Sequence, residues 1–256
     1  MVMKMKQKFY VQNEKIIAGI TLKDAAFAEQ NNMAFNVCQN KITVLENRQQ
    51  LADVLQTDVS QFVCANQTHS ANFLKVEKQH IGLGAHDYES SVLNTDALYT
   101  YEKDTVISSF TADCVPVLFY NPKIELIGAI HSGWQGSVKE ITRHLFEHLK
   151  TNEACHMNDL HVFIGPALSQ EKFEVDADVY EQFKALGYAE DFMYYNEASN
   201  KYHIDNQLTV QKQCELAGVP AANIQIDPMC TFLNESGFSY RQSKQAGRHL
   251  SFIMQK

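Results

Sequence analysis

The chain has 256 residues, with 22 Lys and Arg against 30 Asp and Glu, and a formal net charge of −8. A composition of 45% hydrophobic and 20% charged residues excludes a disordered or collagen-like chain, and a chain of this length buries about 70% of its unfolded surface without disulfide staples. The acidic balance disfavours nucleic acid or an anionic membrane as a partner, and no run approaches the roughly 20 apolar residues that cross a bilayer.

The start, Met1 to Lys8, is basic and leads into Phe9-Tyr10-Val11-Gln12-Asn13-Glu14, which is not the apolar stretch of a signal peptide. A cytoplasmic protein with reduced thiols is expected. Residues 9–12 and 15–22 read as strands. Val44, Leu51 and Leu55 share one helical face and predict a helix, with Arg48 on the side away from that stripe. Residues 62–65 form a short buried strand leading into Asn66-Gln67-Thr68-His69-Ser70, and residues 74–77 continue it. Residues 82–91 are a polar loop, and residues 96–100 resume extended structure. Residues 106–110 are rich in strand formers, Thr111-Ala112-Asp113-Cys114-Val115-Pro116 interrupts them, and residues 117–120 continue the run up to an Asn121-Pro122 turn. Residues 126–130 are apolar and end at His131, followed by Ser132-Gly133-Trp134-Gln135-Gly136.

A helix is expected to start at Ser137, because Ser137-x-x-Glu140 is a capping box and Val138, Ile141, Leu145 and Leu149 line one face. Residues 160–164 read as a strand stopped by Gly165-Pro166, residues 174–186 as a helix, and residues 187–203 as irregular. A helix from Asn206 to Ala217 stops at Gly218 with Pro220 beyond it. Residues 224–226 and 249–254 close the chain as strands. No repeat or linker interrupts the pattern, which predicts one α+β domain over residues 1–256 with a mixed sheet or two packed sheets.

Three reactive side chains end apolar runs: His69, Cys114 and His131. Loops at strand ends are where a rigid scaffold presents chemistry. One thiolate and two imidazoles suit a zinc ion that keeps a fourth position open. The same three residues also read as a loop histidine, a core thiol and a strand-end histidine, and a Cys114–imidazole pair would serve as a thiol nucleophile. Spacing does not separate these readings. The six cysteines (38, 64, 114, 155, 214 and 230) include no C-x-x-C pair, so the other five read as small buried hydrophobes. His144 and His148 follow the polar side of their helix and read as solvated. Gly133-Trp134-Gln135-Gly136 before a helix reads as a tight turn, or as an anion site at free amides. Arginines are scarce, and Arg48 and Arg248 are the candidates for an anion-binding fork.

Taken together, Gln67-Thr68-His69-Ser70, Asp96-Ala97, Thr111-Ala112-Asp113-Cys114-Val115-Pro116, His131-Ser132-Gly133-Trp134-Gln135-Gly136, Ile164-Gly165-Pro166-Ala167, Cys230-Thr231, Ser239-Tyr240-Arg241 and Gly247-Arg248 resemble the YfiH family, also called the laccase-domain or multicopper polyphenol oxidase family. The resemblance runs from about Ile17 to the C-terminus. It implies a four-layer α/β/β/α sandwich with mixed sheets, similar to the catalytic domain of the cytotoxic necrotizing factor toxins. It implies a zinc-dependent purine nucleoside phosphorylase for adenosine, inosine and methylthioadenosine, with adenosine deaminase activity beside it. The metal ligands and catalytic residues it implies are His69, Cys114 and His131. Arg48 of Asn47-Arg48 corresponds to a phosphate or substrate contact. Gln67, Asp113, Gly133 and Arg248 complete the expected substrate- and phosphate-binding set. This chain departs from the family pattern at Ser70 and Gln135, where glycine and arginine are usual, and at Thr21-Leu22-Lys23-Asp24-Ala25-Ala26. Copper is the alternative metal and phenol oxidation the alternative reaction, although the sequence contains no His-x-His pair. A Cys–His thiol hydrolase and a metal-binding partner protein without activity are the remaining alternatives.

Overall fold

Three largely apolar strands, β2 (Ile16–Thr21), β8 (Leu126–Ser132) and β14 (His249–Gln255), are buried along their whole length. A strand buried on both faces must lie inside a stack of layers. The computed structural model, which describes residues 5–256, shows that stack; Met1 to Lys4 of the basic start lie outside the described residues. A five-stranded sheet runs in the order β1 (Gln7–Gln12), β2, β14, β6 (Val106–Thr111), β3 (Phe62–Val63). A six-stranded sheet runs β13 (Ile224–Ile226), β9 (His161–Ile164), β7 (Val115–Asn121), β8, β5 (Ala97–Thr100), β4 (Phe73–Val76). Both are mixed, since β3–β6, β4–β5 and β13–β9 pair parallel and the other neighbours antiparallel.

Alternation along the strands builds three cores. Ile16, Ala18, Val63, Ile107 and Ile253 of the first sheet meet Leu118, Ile127, Ala129 and Phe163 of the second. The opposite face of the first sheet, with Ile17, Leu250, Phe252 and Met254, packs on Leu51, Ala52 and Leu55 of helix α1 (Lys41–Leu55). The far face of the second sheet, with Val117, Phe119, Leu126 and Ile130, packs on two helices. These supply Leu145, Phe146 and Leu149 of α3 (Ile141–Asn152) and Val210, Cys214 and Ala217 of α5 (Asn206–Ala217). The layers therefore run helix, sheet, sheet, helix. Each fully buried Leu or Phe in them contributes about 1.5–3 kcal/mol. Asn40 and Asp205 cap α1 and α5 with their side chains, and Gly218 ends α5 at φ 105. No helix among the described residues is long and apolar enough to cross a membrane.

Five expectations from the sequence change. Residues 74–77 do not continue β3: β3 lies in the first sheet and β4 in the second. The chain switches sheet again between β6 and β7. The helix expected at Ser137 begins earlier, as α2 (Trp134–Val138) with Gly133 as its N-cap, and breaks at Glu140, which sits at φ 55 before α3. The capping box does not form, because Ser137 Oγ meets Ser132 Oγ at 2.9 Å and Glu140 accepts from Arg143 and Tyr188. Glu174–Val175 is a strand, β10, so the helix at 174–186 shrinks to α4 (Ala177–Lys184). Residues 187–203, expected irregular, hold the hairpin β11 (Met193–Asn196) and β12 (Lys201–Ile204), which pairs with β10 in a small sheet over Leu168, Phe173, Phe183 and Ile204.

Candidate metal centre and its cavity

Two of the changes of sheet carry a candidate ligand. Leaving β3, the chain turns through His69 at φ 59 before entering β4; leaving β6, it turns through Asp113 at φ 84 and Cys114 before entering β7. Where a strand leaves its ladder, side chains are free of sheet alternation and can converge. His131 ends β8, opposite Pro116 of β7, so it lies beside Cys114. The ligand atoms of His69, Cys114 and His131 all lie within 4.8 Å of one another. His69 Nε2 is 3.7 Å from Cys114 Sγ, close to the roughly 3.6 Å between S and N donors on one tetrahedral zinc ion. The two imidazole rings meet edge to face with centroids 4.8 Å apart.

Asp96 organises this trio, and sequence reasoning did not select it. Pairing of Ala97 with Ile130 sets Asp96 beside His131. Its Oδ1 accepts the His131 Nδ1–H at 2.8 Å and the His69 amide at 3.0 Å. Its Oδ2 accepts the Ser70 amide at 2.7 Å and the Ser70 hydroxyl at 2.6 Å. Such an outer partner fixes the tautomer and leaves Nε2 of His131 facing the other ligands. Burial pushes the Asp96 carboxyl up, but the bonds from His131 and Ser70 outweigh it and hold the group well below the usual carboxylate range. Burial alone would push the Cys114 thiol up and the His131 ring down. Their mutual attraction and hydrogen bonding reverse both, bringing the thiol down to about 6 and the imidazolium up to about 9. The sequence signal for Asp96 was its place in the Asp96-Ala97 motif at the start of an extended run.

Gly133 belongs to the centre for reasons of space. Its φ of −67° suits any residue, but a Cβ there would lie 2.5 Å from His69 Cδ2 and 3.0 Å from Cys114 Sγ. It underlies the trio and is not among the residues that line the cavity, and α2 is one short turn.

The trio opens on a cavity of about 730 Å³ that is also lined by Arg48, Gln67, Asp113, Trp134, Phe173 and Arg248. Arg48 sits on the inward face of α1, only 2% exposed, against the outward placement expected. Its Nε donates to Met33 O and its Nη1 to Gly84 O and Ala85 O, while Phe35 and Phe110 cover its faces with centroids 4.1 and 5.1 Å away. Gln67 lines the cavity, and its amide exchanges two bonds with the Phe110 backbone, at 2.7 and 2.8 Å, which extend the edge of β6. The Asp113 carboxylate is likewise engaged, accepting from Thr231 Oγ1, Ser239 Oγ and the Arg241 amide, and so ties the Cys114 turn to the irregular segment at 227–248. Arg248 is half-buried, donates to Ala246 O and Gly247 O, and lies over Tyr240. Trp134 both lines the cavity and packs on the small sheet's core. His144 is exposed, whereas His148 faces the Tyr99 hydroxyl at 3.1 Å rather than solvent alone.

Comparison with known proteins gives the family and the fold. The family described as multi-copper polyphenol oxidoreductase laccase matches residues 2–256. The purine nucleoside phosphorylase YlmD of Bacillus subtilis is 32% identical over 254 residues, covering 95% of this chain and 90% of that protein. Among solved structures, YlmD from Geobacillus stearothermophilus superposes with a TM-score of 0.88 at 31% identity, covering 94% of this chain and 92% of that one. The Bacillus licheniformis hypothetical protein YfiH gives a TM-score of 0.89 at 27% identity over 97% and 99% of the two chains. The chain belongs to the laccase-like YfiH family, and its mixed α+β architecture is that of its YfiH and YlmD neighbours.

Proposed function

We propose, from that membership and from the groups around the cavity, that the chain is a zinc-dependent purine nucleoside phosphorylase. Its substrates would be adenosine, inosine and methylthioadenosine with phosphate, it would also deaminate adenosine, and it would work in the cytoplasm. One observation carries the reading: a His₂Cys donor set and a buried guanidinium whose hydrogen bonds all go to neutral carbonyls face the same cavity. A buried cation without a carboxylate partner favours an anionic ligand, because desolvation leaves its charge uncompensated. One thiolate and two imidazoles suit zinc, with copper the alternative.

The chain's own residues divide the work. Arg48 and Arg248 orient the phosphate. Trp134 and Phe173 offer flat apolar surface to the purine. His69, Cys114 and His131 hold the metal, which when bound supplies a Lewis acid to a substrate or water oxygen. Asp96 keeps the His131 ring in the tautomer that frees Nε2.

The deciding experiment incubates metal-replete protein with adenosine, inosine and methylthioadenosine, with and without phosphate, and separates the products by chromatography. Sugar 1-phosphate formed only with phosphate is expected, and Cys114→Ala should lose at least 100-fold in rate, roughly the loss of a group central to the reaction. Equal base release without phosphate would replace phosphorolysis by hydrolysis. The family's laccase description makes phenol oxidation the second reading; its sign would be copper retained by protein grown without added copper, together with oxygen uptake on a diphenol. A third reading draws on the lowered Cys114 thiol: iodoacetamide abolishing turnover in metal-free protein would indicate a thiol hydrolase.

A further inference from the structure

We infer that Lys139 is a positioning residue for the first ligand of the trio: its ammonium fixes the His69 backbone and thereby aims the His69 ring at Cys114. The inference rests on the metal reading given above. Lys139 Nζ donates to the His69 carbonyl at 2.7 Å, and the His69 amide donates to Asp96 Oδ1 at 3.0 Å. The two bonds hold the peptide groups on either side of a residue at φ 59. A non-glycine residue stays in that region only when its neighbours over-determine it. Asp96 restrains both peptide groups, through the His69 and the Ser70 amides, and Lys139 adds a second bond to the carbonyl-side peptide. With Lys139 removed, that peptide is held by the Ser70–Asp96 bond alone, so His69 ψ gains freedom and the aim of the imidazole loosens with it.

Lys139 occupies its place because α2 and α3 are broken apart. The apolar spacing of Val138, Ile141, Leu145 and Leu149 suits one continuous helix. Tertiary bonds impose the break instead. Tyr188 Oη donates to Glu140 Oε1 at 2.9 Å, and Arg143 Nη1 donates to the same atom at 3.1 Å. Gln213 Nε2 of α5 donates to Ser137 O at 2.7 Å and to Tyr188 Oη at 3.1 Å. Glu140 is thereby held at φ 55, directly after Lys139. Local preference overridden by buried bonds beside a site marks a structure that serves the site. Lys139 itself is exposed, and among the described residues its ammonium has no carboxylate partner, so the His69 carbonyl is the contact that accounts for its placement.

The test compares wild type, Lys139→Met and Lys139→Arg by two readouts. The first is amide hydrogen exchange at His69 and Ser70 in metal-free protein. The second is Co²⁺ titration followed by the thiolate-to-cobalt absorption band and by competition with a chelator. Lys139→Met should exchange those two amides severalfold faster and bind Co²⁺ about tenfold more weakly, as loss of an outer partner of a ligand does. Lys139→Arg, which keeps a charged donor, should restore both. Unchanged exchange and unchanged Co²⁺ affinity in Lys139→Met would overturn the inference. Should wild type itself bind no Co²⁺, the metal reading fails on its own, while the exchange rates still decide whether Lys139 orders His69.

Discussion

Asp96 is the residue on which the centre turns, because one carboxylate answers the His69 amide, the His131 ring and Ser70 together. An amide in its place would aim a donor at other donors. Asp96→Asn should therefore destabilise the protein at neutral pH by about 2–4 kcal/mol, the range for breaking a buried charged network. The pH dependence follows from the sign of its shift. A carboxyl held below its ordinary value stabilises the fold above that value, about 3.9, and loses the contribution as pH falls through and below it. The gap between wild type and Asp96→Asn in urea midpoint should be full at pH 7 and shrink steadily below about pH 4. A gap that stays constant from pH 7 to pH 3 would remove Asp96 from this role. His69, Cys114 and His131 were legible as candidates because each sits at or just past an apolar run, and the family motifs singled them out. The role of Asp96 was not, since the Asp96-Ala97 motif gives no partner for the carboxylate until register sets it beside His131.

At the scale of elements, the junction of β8 with α2 is the tightest part of the centre. Gly133 adopts backbone angles open to alanine, so Gly133→Ala is a test of space rather than of strain. The added methyl group would press on His69 Cδ2 and Cys114 Sγ. Gly133→Ala should keep its thermal midpoint within a few degrees of wild type but lose at least tenfold in zinc affinity, measured by chelator competition, on the scale of other disturbances around ligands. Wild-type affinity would show that the trio has room to spare. Helix α5 was legible end to end because Asp205 caps it and Gly218 stops it. The α2–α3 break was not, because Tyr188 and Gln213, far along the chain, impose it. The β11–β12 hairpin was missed because its residues are polar and aromatic and bury little, so they show no clean alternation.

The cavity belongs to the whole molecule. Helix α1 brings Arg48, two of the sheet crossings bring His69 and Cys114, β8 brings His131, the segment before β10 brings Phe173, and the segment before β14 brings Arg248. A ligand that bridges these parts binds only the folded chain and raises its stability by mass action. Phosphate at about 100 times its dissociation constant should add about 2.7 kcal/mol, a rise of roughly 5 °C or more in thermal midpoint for a chain of this size. Arg248→Met should abolish most of that rise while leaving the unliganded midpoint nearly unchanged, since Arg248 makes only local bonds to Ala246 and Gly247. An equal rise in Arg248→Met would take Arg248 out of the phosphate site. Arg48 is unsuited to this comparison, because its bonds to three carbonyls also hold α1 to the loop at Gly84 and Ala85.

The sequence by itself determined what short-range physics controls: the apolar runs that must be buried strands, the capped helices, and reactive groups left at the ends of those runs. It also carried the ordered motifs that mark the family. Tertiary structure alone decided which strands share a sheet, and so that His69 and Cys114 lie on crossings between sheets and converge on His131. It decided that Arg48 faces inward, that Gln67 and Asp113 bond to backbone and side chains, and that Asp96 and Gly133 complete the centre. The physical reason is that pairing register and packing between layers join residues 17 to 62 positions apart, from His131 back to Cys114 and to His69, and no local propensity reports those contacts.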